Sequence, residues 1–300
     1  MTNQLPERLS WVNRFKKYSG NPVLRPQGDG CAADAIFNPA AIVHDGKVKL
    51  LCRAINMARP RPKGNWSVSS LVWAESDDGF HFKLADRPAF DPDENSPYQG
   101  GFEDPRLVEI DGKYILTFTG VKDVGHTPGM MAISDDLEHW DVLGEVLPGR
   151  AIAIVNRKIG GKYWAYWGND PAEHLAWSED LRTWHVHDQP AFTSRPGCFD
   201  GLLCAASHAD ARAYAERVLP MYEAPHQYNL YSTGWALFDK NDPTRLIARC
   251  DRPILEPYEI YELFGIANYT VFSQGFVDFK GKKLLYFGCA DMRIGVAVAE

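Results

Sequence analysis

LVEIDGKYILTFTG, residues 107–120, reads as two short strands joined at Asp111-Gly112. Apolar residues alternate on both sides of the turn, and Asp-Gly tolerates the positive φ that a two-residue hairpin loop demands. The same block returns as AIVHDGKVKLLCRA (41–54), VNRKIGGKYWAYWG (155–168) and FVDFKGKKLLYFG (276–288). Its turn glycines are Gly46, Gly112, Gly161 and Gly281. The last gap is about twice the others, which leaves room for a further copy within 200–240.

A second element follows three of these hairpins. AESDDGFHF (74–82), AISDDLEHW (132–140) and AWSEDLRTW (176–184) share a Ser, then an Asp two residues on, then an aromatic residue at the end. Such side chains suit a turn in which Ser and Asp oxygens accept backbone N–H groups while the ring packs beneath. WALFDKNDPTRLIAR (235–249) holds the corresponding place with altered chemistry, and HADARAYAERV (208–218) is the best candidate for a helix, a short helix or loop. Five units of roughly 60 residues, each of several short antiparallel strands, fit a five-bladed β-propeller better than a sandwich. The expected fold is therefore all-β, a single domain over residues 1–300. NPVLRP (21–26) and RPILEP (252–257) look like one short element used twice, suited to stitching the ring. A propeller gathers strand-end residues from every blade around one depression, where groups distant in sequence meet.

Composition narrows the partners. With 45% hydrophobic and 24% charged residues the chain is an ordinary globular sequence, which excludes disordered, collagen-like and coiled-coil classes. A net charge of −7 without a basic cluster argues against nucleic acid or an anionic membrane as partner. The N-terminus lacks an apolar signal core, and the longest aliphatic run, AIAIV at 151–155, is far too short to span a bilayer, so a cytoplasmic protein is expected. The six cysteines show neither CxxC nor zinc-finger spacing and are expected to be buried free thiols, with no metal site. The oligomeric state stays open, a homo-oligomer included.

GGFEDPRL (100–107) is the most unusual segment. Gly100 and Gly101 permit close backbone approaches that a side chain would block. Pro105 is expected to hold Asp104 extended and so aim its carboxylate from a stiff backbone. Read one way, Asp104 is a positioned acid with Glu103 and Arg106 as supporting charges; read the other, an arginine–carboxylate pair closes a turn. Asn38 in FNPAAI, Arg53 at the end of the first hairpin and Asp291 in FGCADMRIG stand at strand ends in different units. Their shared placement favours a common site.

In this order and spacing, FNPAAI, LLCRA, GGFEDPRL, RPILEP and CADMRIGVA resemble glycoside hydrolase family 130, the β-mannoside phosphorylases and β-1,2-mannosidases, over about residues 20–300. The resemblance implies a five-bladed propeller that cleaves β-mannosidic bonds of an oligosaccharide with inversion. It implies Asp104 as proton donor to the glycosidic oxygen, through a sugar hydroxyl in the phosphorylases, with Asn38, Arg53, Glu103 and Asp291 holding the mannosyl unit in the −1 subsite. No cofactor is implied, and inorganic phosphate is the co-substrate if the enzyme is a phosphorylase.

Phosphorylases of this family hold phosphate with groups that include a His-Arg pair closing the third hairpin and a Lys in the fourth unit. Here Tyr166-Trp167-Gly168 closes that hairpin, GLLCAAS (201–207) has no Lys, and Arg150 is the only basic residue near an expected phosphate position. A dianion needs several converging donors to offset its desolvation. Hydrolysis is therefore the expected reaction, phosphorolysis to mannose 1-phosphate the close alternative, and a non-catalytic carbohydrate-binding propeller the third reading. An inverting hydrolase needs a base roughly 6.5–9.5 Å from the acid; Glu223 in MYEAPHQ is favoured over Glu173, Glu259 and Glu262. Trp167, with Trp66, Trp73, Trp164 and Tyr228, offers a stacking face for sugar.

Overall fold

The computed structural model describes residues 7–60, 67–122, 125–168, 171–201, 206–210, 217–225 and 231–299, with backbone alone at 206–210 and 217–225. Nearly all regular structure is strand. In chain order these are β1 (Lys16–Lys17), β2 (Ala35–His44), β3 (Lys47–Ile55), β4 (Ser69–Ser76), β5 (Lys83–Phe90), β6 (Gly101–Ile110) and β7 (Lys113–Val121). There follow β8 (Gly129–Ser134), β9 (Asp141–Leu147), β10 (Ala153–Ile154), β11 (Tyr163–Trp167), β12 (Ala172–Ser178), β13 (His185–Val186) and β14 (Phe192–Thr193). The last are β15 (Ala206–Asp210), β16 (Arg217–Pro225), β17 (Tyr231–Asp239), β18 (Leu246–Arg249), β19 (Val271–Phe279), β20 (Lys282–Cys289) and β21 (Arg293–Ala299). The helical pieces are a 3-10 helix over Glu7–Arg14 and one turn, α1 (Ile260–Leu263), before β19.

The hairpins form where the turn chemistry places them. Asp45-Gly46, Asp111-Gly112, Gly160-Gly161 and Lys280-Gly281 all have two consecutive positive φ angles, between 49° and 79°. That is the mirror-image turn whose twist matches the flanking strands. The further copy within 200–240 is the antiparallel pair β15–β16. Residues 208–210 and 217–218 are thus strand, where a short helix or loop is expected over 208–218; residues 211–216 lie outside the described residues. Ala, Glu and Arg are good helix formers, but β16 is paired on both sides, to β15 and to β17, and such pairing outweighs local preference.

The sheets run β1-β21-β20-β19, then β10-β11-β12-β13 with β14 on β12, then β15-β16-β17-β18, then β2-β3-β4-β6-β7-β8-β9 with β5 on β4. In the last, β4 and β6 meet only at Ser69 and Gly101, in parallel, so the sheet divides there into two sets. β1 completes the sheet of the three C-terminal strands by pairing with β21. NPVLRP and RPILEP play matching lesser parts, Leu24 bridging Ile294 and Leu255 bridging Thr233.

The chain divides into two compact units. Unit 1 comprises residues 1–14, 106–117 and 129–256, and its core packs Ile110, Ile115, Met131, Ile152, Ile154 and Trp167. Unit 2 comprises 15–105, 118–128 and 257–300, around Ile36, Leu50, Val72, Leu284, Tyr286 and Val296. Each such side chain, fully buried, contributes about 1.5–3 kcal/mol from removal of apolar surface from water. Cys52, Cys250 and Cys289 are buried free thiols as expected, whereas Cys198 is exposed and Cys31 partly so; the Cys204 side chain lies outside the described residues. No helix among the described residues is long and apolar enough to cross a membrane.

The Ser-Asp element is one turn built three times. Ser134 Oγ accepts the N–H groups of Asp136 and Leu137, and Asp136 Oδ1 accepts those of Glu138 and His139 at 2.8 Å. Ser178 and Asp180 repeat this with Leu181, Arg182 and Thr183, as do Ser76 and Asp78 with Gly79, Phe80 and His81. Hydrogen bonds to the charged form favour it. The backbone N–H of His139 holds the Asp136 carboxyl well below the usual range, and that of Thr183 holds Asp180 at about 2. A carboxyl lowered in the folded state stabilises above its unfolded value, 3.8, and the contribution is lost as pH falls through about 2. An Asp136→Asn/Asp180→Asn variant keeps the acceptor oxygens but is expected to show a flatter loss of urea stability between about pH 4 and 2. Acid limbs of equal slope in the two proteins would refute this.

Candidate active site

Asn38 and Asp104 occupy matching positions. Each stands eight residues before its hairpin glycine, Gly46 or Gly112, and each precedes a proline. Both have left-handed backbones, φ 46° and 52°. Phe37 pairs with Arg53 and Ala40 with Leu51, so Asn38-Pro39 forms a bulge, a device that re-aims a side chain off the ladder. The left-handed φ of Asp104 corrects the extended geometry expected from Pro105. Proline disfavours helix in the residue before it, but a short polar side chain still tolerates positive φ, at a strain of about 1–3 kcal/mol. The surroundings impose it: a Cβ on Gly101 would lie 1.9 Å from Ser69 O, so the segment before Asp104 is pressed against β4.

These backbones bring four side chains of unit 2 together. Asn38 Nδ2 donates to Asp104 Oδ1 at 2.9 Å, and Arg53 Nη1 donates to the same oxygen at 3.2 Å. Arg53 Nη2 donates to Glu103 Oε1 at 2.5 Å, Nε to Ser69 Oγ at 3.0 Å, and the guanidinium lies 4.8 Å from the Phe37 ring centroid. Asp104 is 6% exposed and Arg53 5%. One planar fork thus addresses two carboxylates, a geometry open to arginine and closed to lysine. Arg53 is bonded to Asp104, and Arg106, expected to support it, is buried.

Asp291 follows Ala290, both left-handed at φ 53° and 50°. A Cβ on Gly288 would lie 2.1 Å from Asn38 Oδ1, and Met292 O accepts the N–H of Ile36 at 3.2 Å. The segment bearing Asp291 therefore runs beside the strand bearing Asn38. The site is thus built of Asn38, Arg53, Glu103 and Asp104 in direct contact, with Asp291 alongside.

The other expected residues are described each within its own unit. Arg150 and Trp167 belong to unit 1, where Arg150 O accepts the N–H of Gly168 at 3.2 Å. Trp167 is 8% exposed and stacks on His174 at 4.8 Å, so it packs in the core and offers sugar little surface. The alternation in KYWAYW explains this, because Ala165, two residues before Trp167, lies in the same core. Glu223 lies in β16 opposite Thr233, its side chain outside the described residues. Glu262 is buried and bonded to Lys17, and Glu173 is buried in unit 1. Among the described residues no group of three His, Cys, Asp or Glu is placed to hold a metal ion.

Sequence reasoning missed Ser69, Phe37 and a pair of exposed aromatic residues. Phe264 and Tyr269, 60% and 43% exposed with ring centroids 6.5 Å apart, lie on a segment tied to Ala290. Ala267 N donates to Ala290 O, and Ala290 N donates to Thr270 O at 3.0 Å.

The model of glycoside hydrolase family 130, described as β-1,4-mannooligosaccharide phosphorylase, matches residues 4–300. The chain is 33% identical over 292 residues to a 1,2-β-oligomannan phosphorylase of Thermoanaerobacter sp. (strain X514), covering 96% of this chain and 97% of the relative. It matches with TM-score 0.88 and 30% identity, over 99% of this chain and 96% of the other, a solved structure described by the statement that the GH130 family of mannoside phosphorylases contains glycoside hydrolases that target β-1,2 mannosidic linkages in Candida mannan. A GH43 β-xylosidase/α-arabinofuranosidase from a compost microbial metagenome, at TM-score 0.63 and 15% identity over 95% of this chain and 94% of that one, shares the fold alone. With the strand grouping above, the fold is all-β and propeller-like. The chain belongs to glycoside hydrolase family 130, whose enzymes are glycoside phosphorylases and glycosidases acting on mannosides.

Proposed function

We propose that this chain is a single five-bladed β-propeller enzyme that cleaves β-1,2-mannosidic linkages with inversion, Asp104 supplying the proton to the departing oxygen. The strand sets β2–β5, β6–β9, β10–β14, β15–β18 and β19–β21 with β1 support a reading of five blades. The observation that carries the chemistry is the convergence of Asn38 and Arg53, from another repeat, on Oδ1 of Asp104. Two donors on one oxygen fix the plane of the carboxyl, which is what proton transfer at a defined atom requires. Glu103 and Asp291 add acceptors for hydroxyls of the mannosyl unit. Phe264 and Tyr269 offer faces on which the C–H surface of a neighbouring sugar packs.

The nucleophile attacks the anomeric carbon from the face opposite Asp104 as the C–O bond breaks and the proton passes to the leaving oxygen. The relative's name supports inorganic phosphate in that role at least as well as water. Arg150 is the proposed phosphate contact, and Glu223 the proposed base if water attacks. Incubation with β-1,2-mannobiose, with and without inorganic phosphate, tests the reading. The expected result is cleavage with mannose 1-phosphate formed only when phosphate is present. Release of mannose at the same rate without phosphate would assign hydrolysis, and no cleavage under either condition would overturn the enzyme and leave a sugar-binding propeller.

A further inference from the structure

Lys17 lies in β1, and its side chain is almost fully buried in unit 2. Its Nζ donates to Glu262 Oε2 at 2.5 Å and sits 3.5 Å from the Tyr258 ring centroid. Oε2 of Glu262 also accepts the N–H groups of Tyr258 and Glu259, closing the first turn of α1. Burial lowers the Lys17 ammonium, with Glu262 pulling it back. Such a pair is a poor source of stability, because a well-packed apolar replacement is often neutral or better. Its use is then to fix geometry.

A short relay of backbone bonds leads from it to the site. Thr270 N donates to Glu262 O at 3.0 Å, and Ala290 N donates to Thr270 O at 3.0 Å. Gly265 is pressed on Ala290 so closely that a Cβ there would lie 2.2 Å from Ala290 O. Ala290 and Asp291 keep their left-handed backbones only while something holds them. We infer that Lys17 is a positioning residue: with Glu262 it anchors residues 258–270, which hold the strained Ala290-Asp291 step and so set Asp291 for the sugar. The role assigned to Asp291 rests on the function proposed above; the anchoring does not.

The test uses Lys17→Met/Glu262→Gln, which removes both charges, keeps an acceptor for the Tyr258 and Glu259 N–H groups, and is expected to fold. Amide hydrogen exchange at Ala290 and Thr270 is expected to speed by about tenfold or more while β3 and β20 core amides keep their protection. KM for β-1,2-mannobiose is expected to rise about tenfold with kcat per folded molecule nearly unchanged, since a lost substrate-holding group weakens binding. A merely structural role would lower the active fraction and leave KM alone. Unchanged exchange at Ala290 overturns the anchor whatever the substrate. Asp291→Ala separates the two readings: if it raises KM and the double variant does not, the anchor fails alone. If it leaves KM alone, the role given to Asp291 fails, while exchange still judges the anchor.

Discussion

Asp104→Asn is expected to lower kcat on β-1,2-mannobiose by about 10²–10⁴-fold, the range contributed by a positioned general acid, while sugar affinity by calorimetry changes only a few-fold. Asparagine has nearly the shape of aspartate. Its Oδ1 still accepts from Asn38 Nδ2 and Arg53 Nη1, so the hydrogen bonds that orient the group survive. Arg53 keeps Glu103 at its second nitrogen, so the buried cation retains a carboxylate. An amide has no proton to deliver to a departing oxygen. Folding should therefore persist and turnover should not, and thermal unfolding of the variant close to that of the native protein is part of the expectation. A kcat within tenfold of native would move the acid elsewhere, and loss of binding together with turnover would mean that Asp104 holds the sugar instead of protonating it.

The parts of this molecule that were legible in its sequence are those decided by local chemistry. A pair of left-handed residues in a two-residue turn admits few residue types, so Asp45-Gly46, Asp111-Gly112 and Lys280-Gly281 declared their hairpins. The Ser-Asp turns were equally plain, because their bonds span two or three residues. β15 and β16 were not, since they form through strand partners that local pattern does not contain. That Asn38, Arg53 and Asp104 come together was legible, and the shared offset before Gly46 and Gly112 marks the first and last as equivalent. The conformation of Asp104 was misjudged because the proline rule bears on helix and is silent on what β4 imposes. Lys17 and Glu262, 245 residues apart, carry no mutual signal at all.

Arg53 is where the largest loss of stability is expected. Its guanidinium joins Glu103, Asp104 and Ser69 in a region where both acidic residues are buried. Arg53→Met keeps the apolar stem against Phe37 but leaves two carboxylates without that charge. Breaking a buried ion pair by removing one partner typically costs about 3–5 kcal/mol, because the remaining charge is neither solvated nor compensated. Urea unfolding is expected to show that loss in Arg53→Met. Arg53→Lys should fall between the variant and the native protein, since one ammonium restores the charge but reaches fewer of the three oxygens. The decisive arm is Arg53→Met/Glu103→Gln/Asp104→Asn, in which no ionised group remains in the trio. If buried charge causes the loss, this protein should regain most of its stability while staying inactive. If instead the triple variant is as unstable as Arg53→Met alone, the guanidinium acts by packing against Phe37 and filling space, and the electrostatic account of the site fails with it.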